Sequence, residues 1–250
     1  SIHGITLDYG PYGWLEDYNP QWTPNTTDRH HKRYRFENQP QIAQWNLLQL
    51  ANALYPLINE AKPLENILNN FSIQFEKEYL KMMHQKLGFE IYNEETQHIV
   101  LLLKENLQSI ETDMTIFFRN LSTINKSDSA TIALEKIKES FYDMNELKDV
   151  VFENWIYWFS LYIKLLQNQM QSDLQRKNSM NAVNPKYILR NYMAQLVIDD
   201  AEKGDYSLLN EMYQLLLNPY DEQPEFNKWF SKRPEWAKHK IGCSVLSCSS

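Results

Sequence analysis

The stretch NELKDVVFENWIYWFSLYIKLLQNQM, residues 145–170, decides the fold class. Its apolar residues recur at helical spacing, and they cover several faces around Trp155, Trp158 and Phe159. A helix apolar on more than one face belongs inside a bundle, so this segment is expected to be the central helix of a mainly α protein. The aromatic residues at 152–163 read as core filling in preference to a ligand box.

Moving outward, the same periodicity fills most of the chain. QPQIAQWNLLQLANALYPL, bracketed by Pro40 and Pro56, sets Ile42, Trp45, Leu48, Ala51, Leu54 and Tyr55 on one stripe. PLENILNNFSIQFEKEYLKMMHQKLG follows, with Gly88 as its expected C-terminal cap. Asn93 is the expected N-cap of NEETQHIVLLLKENLQSI. DMTIFFRNL and SDSATIALEKIKESFY predict shorter helices. NPKYILRNYMAQLVIDDAEKGD is expected to start a helix at Pro185 and leave it at Gly204, and YSLLNEMYQLLLNPYDEQ closes a set of about eight helices. The tail from Phe230 reads as irregular.

The first forty residues differ. An alternating run, Ile2, Ile5 and Leu7, reads as a short strand that ends on Asp8-Tyr9-Gly10. No later segment supplies a strand to pair with it, and an isolated strand cannot satisfy its own backbone groups, so its partners are expected upstream. Residues 11–40 read as a long polar loop that carries the basic run DRHHKRYR, residues 28–35. Loops of that length are usually functional. The expected organisation is therefore residues 1–40 as a strand, turn and loop segment, and residues 41–250 as a helical body with an irregular tail.

Composition narrows the function. The 250 residues carry a net charge of −7, which disfavours a general nucleic-acid partner. No apolar run is long enough to span a membrane, and the lack of a visible targeting segment points to the cytoplasm. Cys243 and Cys248 are the only cysteines, both near the C-terminus, too few and too late for a disulfide framework. Their spacing fits inert thiols as well as a redox pair. The adjacent His30 and His31 do not converge on a metal, and His84 and His98, within helical runs, read as surface or packing residues.

Asp8-Tyr9-Gly10 has two readings. It is either a plain strand-to-loop turn or a metal-binding turn, in which a carboxylate at a strand end holds a divalent cation against nucleotide phosphates and Gly lets the chain turn away. The basic loop is likewise either a solvated surface or a contact for phosphate or an acidic substrate.

Four blocks together, GITLDYGPYGWLEDYNP, RYRFENQPQIAQWNLLQLANAL, NPKYILRNYMAQLVIDDAEKGDYSLLNEMYQLLLNPYDEQ and the terminal SCSS, resemble the selenoprotein O family in order along the whole chain. The resemblance implies the C-terminal lobe and helical extension of a protein-kinase-like fold, with the N-lobe missing. It implies transfer of AMP from ATP to Ser, Thr or Tyr hydroxyls of proteins, with UMP transfer in bacterial members. Mg²⁺ or Mn²⁺ would be the cation, and Asp8 would be both metal ligand and ATP contact. The family's second metal ligand, an Asn, and the Asp base just before it would lie immediately upstream of Ser1, so this stretch alone is expected to be inactive. Cys248 matches the family's redox position. Pro24 stands where the family places the partner cysteine, which leaves that pairing without its second thiol. Two other readings remain open, a pseudokinase-like helical interaction module without catalysis and an ATP-dependent phosphotransferase.

Overall fold

The structure, a computed structural model, describes residues 15–23, 30, 32–238 and 240. Among them the protein is mainly helical and holds no strand; Asp17 with Asp113 and Thr112 with Phe141 form isolated antiparallel bridges. The expected strand at 2–7, with Asp8 at its end, lies outside the described residues, as do Cys243 and Cys248. The chain divides into two compact units. Among the described residues, one takes in those of 19–82, and the other those of 15–18 and 83–240.

In the first unit, the backbone N–H groups of Phe36 and Glu37 donate to the carbonyls of Trp22 and Pro20 at 2.9 and 3.1 Å. A 3₁₀ turn, Phe36–Asn38, then feeds α1, Gln39–Ile58. Pro40 sits in its first turn, where the missing N–H costs nothing. α1 runs through Pro56 and stops at Asn59, whose φ of 55° is the left-handed cap conformation; its N–H returns to the Tyr55 carbonyl at 2.8 Å. α2, Ala61–Leu87, carries Phe71, Phe75 and Tyr79 as a ladder of rings 6.3 and 6.2 Å apart. The Gln44 amide donates to the Leu68 carbonyl and ties α1 to α2.

The second unit holds the core. α2 ends at Gly88, whose φ of 75° suits glycine, and a Cβ there would lie 2.7 Å from Met180 Sδ and 2.8 Å from Arg176 Cγ. α3, Glu94–Ser109, opens with a reciprocal capping box between Asn93 and Thr96. α4, Met114–Leu121, and α5, Ala130–Ile137, are capped by Asp113 and Ser129. α6, Asp149–Gln167, is central as expected, with Trp155, Trp158, Phe159 and Tyr162 fully buried. Two of its polar ring atoms find partners: Trp158 Nε1 donates to the Ile99 carbonyl at 3.0 Å and Tyr162 Oη to the Leu87 carbonyl at 2.9 Å. Burial pushes the Tyr162 hydroxyl up to about 12, which keeps it a donor. Trp155 meets Phe117 and Phe141 at 5.5 and 5.4 Å, joining α4 and the Phe141 corner to α6.

Two expectations are corrected. α7, Asp173–Val183, is a helix that the apolar pattern did not predict, making nine α-helices among the described residues. Pro185 starts no helix: α8 spans Asn191–Ala201, and residues 185–190 run irregularly because the backbone N–H groups of Lys186 and Tyr187 both donate to the Pro219 carbonyl. α9, Ser207–Leu217, packs with α8 around Tyr192, Met193, Met212 and Leu215. A 3₁₀ turn, Pro224–Trp229, precedes the tail, and the described part of the tail carries one more, Glu235–Lys238.

Candidate functional site

The segment Leu15–Tyr18, seven residues past Asp8 at its start, is pinned inside the second unit by a buried ionic network. The backbone contributes first: the Met114 N–H donates to the Glu16 carbonyl at 2.8 Å, beside the Asp17–Asp113 bridge. Asp113, fully buried, does four jobs. Its Oδ1 caps α4 through the Ile116 N–H at 3.0 Å and accepts Arg190 Nη2 at 3.0 Å; its Oδ2 accepts Arg190 Nη1 and the Tyr142 hydroxyl. Glu16 lies 3.1 Å from Arg233 Nη1 and 3.9 Å from Arg190 Nη1. Arg233 also reaches Glu111 at 2.8 Å and lies over the Tyr142 ring.

The charges within this network are set by burial and by one another. Burial alone would lower the Arg190 guanidinium, but the hydrogen bonds and charge of Asp113 outweigh it and hold Arg190 charged. Burial raises the Glu16 carboxyl above its usual range; Arg190 and Arg233 pull against that, while Asp113 and Asp17 add to it. Neither Glu16 oxygen has a hydrogen-bond donor in bonding geometry, so its ion pairs do not fully offset desolvation. Burial and the carboxylates raise the Tyr142 hydroxyl far above its usual value, which excludes it as a base. The arrangement is a clamp that holds the Leu15–Tyr18 segment in place.

Of the candidates named from sequence, Asp8, Arg29, His31, Cys243 and Cys248 lie outside the described residues. In the basic loop His30 is exposed, and Arg33 stacks over the Trp45 ring at 4.3 Å. His84 is buried between the rings of Tyr92, at 4.6 Å, and Phe89, so it is a packing residue. His98 is exposed and lines a groove of about 220 Å³ with Glu95, Tyr157 and Lys164. Among the described residues no three His, Cys, Asp or Glu side chains come together as a metal site. Sequence reading missed Glu16, Asp113, Tyr142, Arg190 and Arg233 as a set. The available signal was a charge embedded in apolar sequence, as in YILRNYM and GWLEDY.

Comparison with known proteins places the chain among enzymes of one family. Relatives named protein nucleotidyltransferase YdiU match the chain from end to end: 58% identity in Flavobacterium johnsoniae, 47% in Rhodopirellula baltica and 46% in Aromatoleum aromaticum. The chain spans about half the length of these curated relatives, 47–48% in each case. The family model described as protein adenylyltransferase SelO matches residues 1–217. The chain belongs to this SelO family.

Proposed function

We propose that this chain is the C-terminal part of a protein nucleotidyltransferase that moves AMP from ATP onto Ser, Thr or Tyr hydroxyls of other proteins. The observation that carries the reading is the family match over residues 1–217, a span that includes Asp8-Tyr9-Gly10. In the reaction a protein hydroxyl oxygen bonds to the α-phosphorus of ATP, the bond from that phosphorus to the bridging oxygen breaks, and pyrophosphate leaves. Asp8 would hold Mg²⁺ or Mn²⁺ and contact ATP; the cation supplies neutralisation of phosphate charge. The general base, the second metal ligand and the N-lobe of a kinase-like fold belong to the half of the family's length outside this chain. The 250 residues alone are therefore inactive in this reading. Residues 1–40 act as metal turn and activation-loop-like segment, and 41–250 as the helical C-lobe and extension. Cys248 is the redox-sensitive position, and the bacterial cytoplasm, which supplies ATP, is the compartment the reading requires.

The role of the clamp follows from sequence distance. Glu16 is eight residues beyond Asp8, and its backbone and carboxylate are held from three sides. A fixed exit limits how far the Asp8 turn strays, which is how remote residues preserve reacting geometry.

The test joins this chain to the remaining half of the F. johnsoniae relative, in place of the matching segment. With ATP labelled at the α-phosphate, label on protein and release of pyrophosphate are expected, and Asp8→Ala abolishes both. Release of ADP would establish a phosphotransferase instead. An unchanged product after Asp8→Ala would leave the interaction-module reading in place, and labelled UTP in parallel decides between AMP and UMP.

A further inference from the structure

α1 reads QPQIAQWNLLQLANALYPLI: twenty residues without one charged side chain, and none of them is buried. Helices that face water on every side carry charges, whereas helices apolar on several faces are interior helices. α6 shows what such a sequence does when it has partners, burying seven residues over nineteen. On α1, Trp45 and Tyr55 are each 47% exposed and Leu57 is 81% exposed. On α2, Ile67, Ile73 and Phe75 are exposed as well. Between α1 and α2 lies a groove of about 290 Å³ lined by Trp45, Leu48 and Leu68, with only Gln41 and Gln44 as polar lining. An exposed helix without charge, bordering a groove of this lining, marks a surface that a partner covers.

We propose that the α1–α2 face is the seat of the half of the protein that this chain does not span. The choice of occupant follows from two observations. First, the relatives match this chain over its whole length yet are about twice as long, so a partner of similar size belongs to the same polypeptide. Second, transient partners leave charged rims, while permanent ones meet surfaces that resemble a domain core cut in two; a helix with no charge at all is of the second kind. A lipid bilayer is the poorer fit, since no helix among the described residues is long and apolar enough to cross one. This inference goes beyond the proposed chemistry and is independent of it: the face would be covered whether the whole protein transfers AMP, transfers phosphate or only binds.

The experiment compares the 250-residue chain with the full-length F. johnsoniae relative and with the chimera described above. Hydroxyl-radical labelling reads Trp45 and Tyr55, with Met170, 95% exposed, as the open control and Trp158 as the buried one. Labelling of Trp45 and Tyr55 is expected to slow about fivefold in the chimera, the change from 47% exposure to core-like burial, while Met170 stays the same. Should the chimera expose Trp158 and so prove misfolded, hydrogen exchange in the natural full-length relative gives the same answer. Amides matching residues 39–82 are expected to exchange at least about tenfold more slowly there than in the 250-residue chain, with those of α6 unchanged. Equal rates in both comparisons overturn the proposal. So does protection that is already present in the 250-residue chain and grows with its concentration alongside a sedimenting dimer, because the occupant would then be a second copy.

Discussion

Replacing Arg190 by Leu removes the cation on which two buried carboxylates depend. Arg190 is 2% exposed, its partner Asp113 is 0% exposed, and Glu16 beside them is 5% exposed. Removing one partner of a buried pair leaves an uncompensated charge and costs about 3–5 kcal/mol. The structure places this case in the upper part of that range, because Asp113 keeps only the Ile116 N–H and the Tyr142 hydroxyl, and Glu16 keeps only Arg233. For a chain of this length 1 kcal/mol moves the melting temperature by roughly 2–4 °C, so a loss of about 4–5 kcal/mol lowers the melting temperature of Arg190→Leu by roughly 8–20 °C. Asp113→Asn is the matched change, since asparagine caps α4 as well as aspartate does while removing the charge. If the loss comes from the unpaired charge, the double variant is more stable than the sum of the singles predicts, by about 2 kcal/mol. Near-ultraviolet circular dichroism, read from the tryptophans of α6, follows each melt. Arg190→Leu within about 1 kcal/mol of the parent, or additivity within about 0.5 kcal/mol, would refute the reasoning.

Three further outcomes follow from single residues. Glu16 has a raised carboxyl in the folded state, so the folded protein binds its proton more tightly than the unfolded chain does; its ionised form is destabilising at neutral pH, and that cost fades as pH falls through the raised value. The stability of the parent relative to Glu16→Gln therefore increases on going from pH 7 toward 4.5, the ordinary carboxyl value, measured by urea titration at each pH; a flat difference contradicts it. Lys86, whose amine is lowered to about 8 by burial, runs the other way: its charge is costly below that value, so Lys86→Met is more stable than the parent at pH 7 and the gap narrows from pH 8 toward 10.5. Gly88→Ala loses about 2–4 kcal/mol from its left-handed backbone and from the displacement of Met180 and Arg176, with thermal melting as the check; a neutral result would mean both side chains move aside at no cost.

The helices were legible where apolar spacing and caps coincide. Asn93 opens α3 as expected, Gly88 and Gly204 close their helices with positive φ, and the Trp-rich segment is the core. α7 escaped notice because it is polar nearly throughout and buries only Arg176 and Met180; its capping box, Ser172 with Gln175, was the signal to use. Pro185 misled because proline tolerates a helix start without causing one, and here a carbonyl more than thirty residues later takes the neighbouring N–H groups. The clamp was invisible for a different reason. Its members, Glu16, Asp113, Tyr142, Arg190 and Arg233, are scattered along the chain, and one-dimensional patterns carry no information about which buried charges meet. Family resemblance supplied Asp8 and Cys248 as candidates, where the residues alone favoured a plain turn and fitted two inert thiols at least as well.

The contact between Glu16 and Arg233 joins residues more than 200 positions apart. On the ribosome, at roughly 5–20 residues per second, the carboxylate emerges about 10–40 s before the guanidinium that faces it. Throughout that interval the segment after Asp8 has its anchor only half built. Arg233 thus determines when the Leu15–Tyr18 segment settles, and a synthesis arrested before it leaves Glu16 without its second cation.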